Sequence, residues 1–153
     1  MMKRLLRPVG IVIYWLSWPF LVLYIRDSQR TRLLLNSGDR ILVVKGLISD
    51  GRWGLPGGGL HRGEEPVIGL LRELREETGL VLEPGSIKSL GIRPYSHNGF
   101  RFQCHYFSAS LPDTVAVHPR LEVIETRWLN KRELNDKNSS PDFSIIMALL
   151  AAS

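Results

Sequence analysis

The stretch from Gly58 to Leu80, GGLHRGEEPVIGLLRELREETGL, constrains this chain more than any other, because it sets a glycine-rich loop directly before an amphipathic helix. From Pro66 the apolar residues Val67, Leu70, Leu71 and Leu74 recur at i, i+3, i+4 and i+7, the spacing of a helix that buries one stripe. Gly79 follows as a natural helix stop. Glu73, Glu76 and Glu77 stand at i, i+3 and i+4, so their side chains gather on a flank beside the buried stripe. Carboxylates on neighbouring turns repel one another unless a cation sits among them, and clustered carboxylate oxygens suit hard divalent ions such as Mg²⁺ or Mn²⁺.

Gly58, Glu64, Arg72-Glu73-Leu74, Glu76-Glu77 and Gly79-Leu80 occupy every fixed position of the pattern G-x5-E-x7-R-E-U-x-E-E-x-G-U, with U an aliphatic residue. In this the chain resembles the Nudix hydrolases. The resemblance implies an α/β fold, the Nudix-type α/β/α sandwich with a mixed β-sheet. It also implies a pyrophosphohydrolase dependent on Mg²⁺ or Mn²⁺ that cuts a nucleoside diphosphate linked to another moiety. Glu73, Glu76 and Glu77 would then be metal ligands, with the backbone carbonyl of Gly57 completing the set. Arg72, one turn from Glu76, would hold Glu76 or Glu73 in its ligating orientation. Glu64 would orient the loop.

Other site candidates come from the residues around this box. Gly57-Gly58-Gly59 allow close backbone approach to metal and phosphate, and His61 is a candidate for the same contact. Glu122 and Glu125 precede Trp128, in a segment similar to where other family members carry an extra glutamate, and Glu122 is the preferred general base. His97, Asn98, Arg101 and His105 are candidates for a base or sugar pocket. Alternation along Phe100 to Phe107 puts Arg101, Gln103 and His105 on one face.

A chain of 153 residues fits one domain with a real core, and the single cysteine, Cys104, excludes an internal disulfide and fits a reducing compartment. Its setting in an alternating apolar run marks Cys104 as a strand residue rather than a nucleophile. The location of the +5 net charge matters more than its size. Residues 1–32 hold six basic residues against Asp27 alone, leaving 14 basic and 14 acidic groups of the chain's 20 and 15 for the rest. A neutral body offers no broad positive surface for a nucleic-acid backbone.

The basic excess brackets Val9 to Ile25, VGIVIYWLSWPFLVLYI, which is 17 residues without a charge. At about 1.5 Å per residue these reach roughly 25 Å, against about 30 Å of hydrocarbon in a bilayer. Lys3, Arg4 and Arg7 lie before the stretch, with Arg26, Arg30 and Arg32 after it, while Tyr14, Trp15, Trp18 and Tyr24 favour interfaces. Pro19 interrupts any straight span. A kinked span, a shallow hairpin and an in-plane anchor all fit, beside an extra core helix or a hydrophobic arm buried in a dimer. No small-residue site follows for signal-peptide cleavage. Residues 1–27 are thus expected to form a hydrophobic helical anchor and residues 28–153 the hydrolase domain, membrane-associated on the cytoplasmic side, or soluble and cytoplasmic if the segment packs in a core.

Within that domain Thr31–Leu35 and Arg40–Lys45 read as a hairpin across Asn36-Ser37-Gly38-Asp39. Ile87–Arg93 and Phe100–Ser110 read as strands around a His97-Asn98-Gly99 turn, and Glu122–Leu129 as a further strand. A short turn capped by Asn130 follows. Ser140-Pro141 opens a terminal helix with Phe143, Ile146, Leu149 and Leu150 as its stripe. Two other readings compete with the nucleoside-diphosphate hydrolase. One is a non-catalytic Nudix-fold binding or sensor module, which would be expected to lose box glutamates, and this chain has lost none. The other is pyrophosphohydrolysis of an RNA 5′ end, against which the neutral body counts.

Overall fold

The structure, a computed structural model, describes residues 7–120 and 122–151. Lys3 and Arg4 of the basic flank, and the side chain of Arg7, lie outside the described residues. In chain order the elements are helix α1 (Arg7–Ile25), strands β1 (Gln29–Ser37) and β2 (Arg40–Gly46), helix α2 (Pro66–Thr78), strands β3 (Lys88–His97), β4 (Phe100–Ser110) and β5 (Val123–Asn130), and helix α3 (Asp142–Ala151).

The five strands form one mixed sheet in the order β3-β4-β1-β2-β5, with β1 and β4 parallel and the other pairs antiparallel. Strand alternation divides the core in two. Leu33 and Leu35 of β1, Leu42 of β2 and Phe107 of β4 face Leu70 and Leu74 of α2. Leu34, Ile41, Val43, Cys104 and Tyr106 face the opposite way, onto Ile146 of α3. The expected α/β/α sandwich follows from these two apolar faces. Leu33, Leu35, Leu70, Leu74 and Ile146 are all fully buried.

Four of the five strands differ from the expectation at one or both ends, and two of the differences matter here. β3 runs on to His97 rather than stopping at Arg93, and Pro94 lies inside it. A proline missing its N–H is tolerated there because β3 is an edge strand. β5 begins at Val123, which leaves Glu122 in the turn before it. The turn Asn98-Gly99 has positive φ at both residues, 48° and 81°, the geometry of a two-residue hairpin loop.

β1 and β2 pair only next to their turn, at Asn36 with Ile41 and Ser37 with Arg40, and then diverge. The glycine loop fills the opening. Leu33 N–H donates to the Pro56 carbonyl at 2.9 Å and Thr31 N–H to that of Gly58 at 2.8 Å, while Gly54 and Val44 exchange two bonds of 2.9 Å. Backbone hydrogen bonds to both strands therefore hold the loop against the sheet.

α1 is a continuous helix through Pro19. One of its faces rests on the domain. A Cβ at Gly10 would overlap the Leu47 carbonyl. Tyr14 stacks on Phe100 at 6.3 Å between ring centroids. Trp18 Nε1 donates to the Asn98 carbonyl at 3.1 Å, and Ile25 joins the core cluster on the α3 side.

Candidate functional site

α2 is placed by caps at both ends. The Glu65 side chain accepts from Ile68 N–H at 3.0 Å, Pro66 occupies the first turn, and Gly79 ends the helix with φ of 77°. The same helix supports the loop. Gly57 has φ of 129°, and a Cβ there would overlap the Thr31 carbonyl. A Cβ at Gly58 would overlap the Glu73 carboxylate, so glycine is what leaves that carboxylate its place against the loop.

Arg72 connects most of the box. Its Nε and Nη2 donate to Glu64 Oε1 and Oε2 at 2.9 and 3.0 Å, and Nη2 also reaches the Gly59 carbonyl at 3.0 Å. Its Nη1 donates to Glu73 Oε1 at 3.0 Å and, more weakly, to Glu76 Oε2 at 3.4 Å. The expected pairing with Glu73 and Glu76 is present, and the clamp on Glu64 adds to it. Bonds from Arg72 hold the Glu64 carboxyl down at about 2. In return Glu64 raises the Arg72 guanidinium above its ordinary range.

Glu77 has the opposite environment. Burial pushes its carboxyl up to about 7, against the pull of the Gly57 N–H, which donates to Oε2 at 2.9 Å, and of nearby Arg32. Gly59, Leu60, His61, Arg72, Glu73, Glu76, Glu77 and Glu122 surround one cavity of about 650 Å³, and Tyr24 at the end of α1 borders it too. Glu122 thus reaches the box from a remote turn. Glu125 does not join it: its side chain is buried and ion-paired with Arg127 at 2.8 Å.

The remaining candidates are spread more widely. His61 is exposed, and its backbone N–H donates to Glu64 Oε2 at 2.8 Å. Arg101 is not brought to the box. Strand alternation turns it outward with Gln103, beside a separate depression formed with Asp27, Pro94 and Tyr95. His105 faces the same way and contacts Gln29 Oε1 at 2.9 Å. His97 lines a second cavity of about 280 Å³, where its Nε2 meets Arg52 Nη2 at 3.2 Å. Cys104 is fully buried in β4, and burial pushes its thiol up to about 12, so it is no nucleophile.

That second cavity adjoins the first, since Glu77 lines both, and its walls include Tyr14, Tyr95, Phe100 and Phe102. Its floor holds a network that sequence reasoning missed. Arg32 Nε donates to Asp142 Oδ2 at 3.0 Å, Arg32 Nη1 to the Gly57 carbonyl at 2.7 Å, and Tyr106 Oη to Asp142 Oδ1 at 2.7 Å. Arg32 and Arg30 had counted as flank to the hydrophobic stretch. The structure instead builds Arg32 into the domain and leaves Arg30 over the Phe102 ring, 5.7 Å from its centroid. A charged residue inside β1, between buried Thr31 and Leu33, was the signal available.

The donor set fits a hard divalent ion in kind: oxygen ligands only, on adjoining turns, around one cavity. Among the described residues no three acidic, histidine or cysteine side chains stand grouped as a metal site. Arg72 Nη1 reaches both Glu73 and Glu76 and offsets part of their mutual repulsion. The Gly57 carbonyl already accepts from Arg32 and keeps one lone pair free.

The family model of the NUDIX domain matches residues 27–149. The chain belongs to the Nudix hydrolase family. Among Nudix relatives, "Putative 8-oxo-dGTP diphosphatase" of Bacillus subtilis (strain 168) is 29% identical over 136 residues, covering 78% of this chain and 88% of that protein. Other matches are local. Nudix hydrolase 25 of Arabidopsis thaliana is 44% identical over 48 residues, and the match spans 31% of this chain and 27% of that protein. An RNA pyrophosphohydrolase of Acinetobacter baylyi is 45% identical over 51 residues, 33% of this chain and 30% of that protein. Solved structures agree on the Nudix fold. A NUDIX hydrolase from Nitrosomonas europaea superposes with a TM-score of 0.69 at 18% identity, covering 83% of this chain and 90% of that one. A bifunctional NMN adenylyltransferase/ADP ribose pyrophosphatase from Francisella tularensis, complexed with AMP and a Mn ion, gives 0.65 at 18% identity, covering 95% of this chain and 47% of that one.

Proposed function

We propose that the chain is a divalent-metal-dependent pyrophosphohydrolase that cuts a nucleoside diphosphate linked to another moiety. The observation that carries this reading is the single cavity edged by Gly59, Glu73, Glu76, Glu77 and Glu122, with Arg72 tying loop to helix beside it. Glu73, Glu76, Glu77 and the Gly57 carbonyl would hold Mg²⁺ or Mn²⁺, which supplies charge neutralisation for the phosphoanhydride oxygens. Arg72 acts as a positioning residue, because its bonds to Glu64 and Gly59 fix the loop while its remaining N–H groups orient Glu73 and Glu76. The backbone of Gly58 and Gly59, with His61 beside it, receives the phosphates. Glu122 takes the proton from the attacking water, as the acidic group of the cavity that lies off α2. The aromatic cavity shared through Glu77 takes the nucleoside.

The full set of box glutamates favours catalysis over a binding module that has lost turnover. The similarity to a protein described as acting on 8-oxo-dGTP puts oxidised nucleoside triphosphates first among substrates to test. The partial match to an RNA pyrophosphohydrolase supports a second reading, against which the balanced charge of residues 33–153 weighs. Residues 9–25 would hold the enzyme at a membrane with its domain on the cytoplasmic side, a reading supported by the exposed apolar side chains of α1. The test is phosphate release from a panel of nucleotides with Mg²⁺, Mn²⁺ or chelator.

A further inference from the structure

The two faces of α1 differ in what covers them. Gly10, Ile11, Tyr14, Ser17, Trp18, Leu21, Val22 and Ile25 are wholly or partly covered, while Val9, Val12, Ile13, Trp15, Leu16, Phe20, Leu23 and Tyr24 are exposed. Each set repeats at three and four residues, so each is one side of the helix. The exposed side carries no charge from Val9 to Tyr24, and Leu16, Phe20 and Leu23 are 74%, 75% and 67% exposed. Singly exposed apolar residues are ordinary, but an unbroken stripe of them is not.

We infer that α1 lies in the plane of an anionic phospholipid bilayer, its Val9–Leu16–Phe20–Leu23 side immersed and its Gly10–Tyr14–Trp18 side on the domain. The inference rests on the fold rather than on the reaction, and it narrows the membrane reading from several geometries to one. A span would put lipid around the whole circumference of α1. Contacts from Gly10 with Leu47, through Tyr14 with Phe100, to Ile25 in the core occupy one side along almost the full length. The 17 uncharged residues overstate the lipid-facing surface, because eight of them are wholly or partly covered by the protein.

A second copy of the chain is a poorer occupant. The stripe is roughly 22 Å long and one helix wide, about 10 Å, which gives a few hundred Å² per partner against about 800 Å² for a stable interface. A bilayer needs no complementary shape. Trp15 and Tyr24 suit the headgroup boundary, and in sequence Lys3, Arg4 and Arg7 precede the helix, a charge pattern that favours anionic lipid at that end, while Arg26 after the helix is ion-paired with Asp27 at 3.6 Å. Tyr14 lines the aromatic cavity, and Trp15 and Leu16 next to it face outward. The cavity wall and the lipid-facing stripe are thus two sides of one helix.

The experiment uses the full chain with vesicles of phosphatidylcholine containing phosphatidylglycerol. Leu16→Cys, Phe20→Cys, Leu23→Cys and Val12→Cys are each labelled with an environment-sensitive fluorophore. Cys104, the chain's only cysteine, is buried and stays unlabelled. Quenching by spin-labelled lipids then gives each position's depth. The expected result is one shallow depth shared by all four, about 5–10 Å below the headgroups. A depth that is greatest at Leu16 and falls toward both ends would establish a span and overturn the inference. Spectral shifts that need no vesicles and grow with protein concentration would establish a second copy instead. In parallel, Leu16→Glu/Phe20→Glu is expected to lower the vesicle-bound fraction at least tenfold. Undiminished binding by that variant also overturns the inference. Hydrolysis of a soluble nucleotide by the same variants reports on the Nudix site separately.

Discussion

Arg72 grips Glu64 with two parallel hydrogen bonds of 2.9 and 3.0 Å across eight residues of chain. This bidentate pair joins the end of the glycine loop to the second turn of α2, and a third bond from Arg72 reaches the loop carbonyl of Gly59. A fork of this shape fixes orientation as well as distance. The side chains that would carry the chemistry, Glu73 and Glu76, are then held by what remains of the same guanidinium.

Replacing Arg72 tests that arrangement. Arg72→Ala is expected to lower kcat by about 10- to 100-fold, the usual cost of losing a group that orients metal ligands, and to lower Tm as well. Arg72→Lys should restore little, because an ammonium cannot make the bidentate contact. Thermal melts and steady-state kinetics on both variants check this, and a purely structural ion pair would be rescued by lysine.

Glu76→Gln and Glu77→Gln are each expected to lower kcat more than about 100-fold without loss of fold, since they remove ligand charge rather than a positioning contact. Circular dichroism and turnover measured together separate the two effects. Near-normal turnover in both variants would remove the metal-site assignment.

The raised Glu77 carboxyl gives a pH signature. In the metal-free protein its pKa of about 7 lies above the ordinary carboxylate value of about 4.3, so the folded state holds this proton more tightly than the unfolded one. Its contribution is most favourable below about pH 4.3 and is lost as pH rises through about 7. A divalent ion must displace the same proton. Mn²⁺ affinity by calorimetry is therefore expected to rise between pH 5.5 and 8, with proton release at the lower pH. Glu64 runs the other way: its stabilising pair with Arg72 is complete above about pH 4.3 and is lost as pH falls toward about 2.

Glu122 and Glu125 are three residues apart and should behave differently. Glu122→Gln is expected to reduce kcat by about 10²- to 10⁴-fold, the range for a general base, with metal affinity retained. Glu125→Gln removes the ion pair with Arg127 and should show as a lower Tm with kcat nearly unchanged. Equal kinetic effects in the two variants would count against Glu122 as the base.

Tyr14 tests whether α1 belongs to the site. Tyr14→Ala removes one aromatic wall of the second cavity, and it should raise KM several-fold while kcat holds. Deletion of residues 1–27 should do the same and also cost stability, since Ile25 packs in the core.

What the sequence made legible was local. The α2 stripe, its Gly79 stop and the flank of glutamates all follow from a 3.6-residue period, and the Asn98-Gly99 turn from residues that accept positive φ. The glycine loop's task was legible in outline. Its placement depends on β1 and β2 diverging after one turn, which no periodicity encodes. The Arg32–Asp142 pair closes across 110 residues, and only the fold brings those two together. In α1 the uniform apolar composition hid a division into two faces, because a helix side that packs on protein and one left exposed can be built from the same residue types. The extension of β3 past Arg93 through Pro94 depends on the strand's place in the sheet, since proline is excluded from a central strand but not from an edge one.

The most direct test of the central claim is phosphate release by the full chain from oxidised and ordinary nucleoside triphosphates, nucleotide sugars, dinucleoside polyphosphates, lipid diphosphates and triphosphorylated RNA. Coupled pyrophosphatase and phosphatase make every cleavage product visible. The predicted result is selective turnover that requires Mg²⁺ or Mn²⁺, stops with chelator and falls away in Glu76→Gln. Turnover that persists in chelator and in Glu76→Gln, or silence across the whole panel while Mn²⁺ still binds tightly, would contradict it.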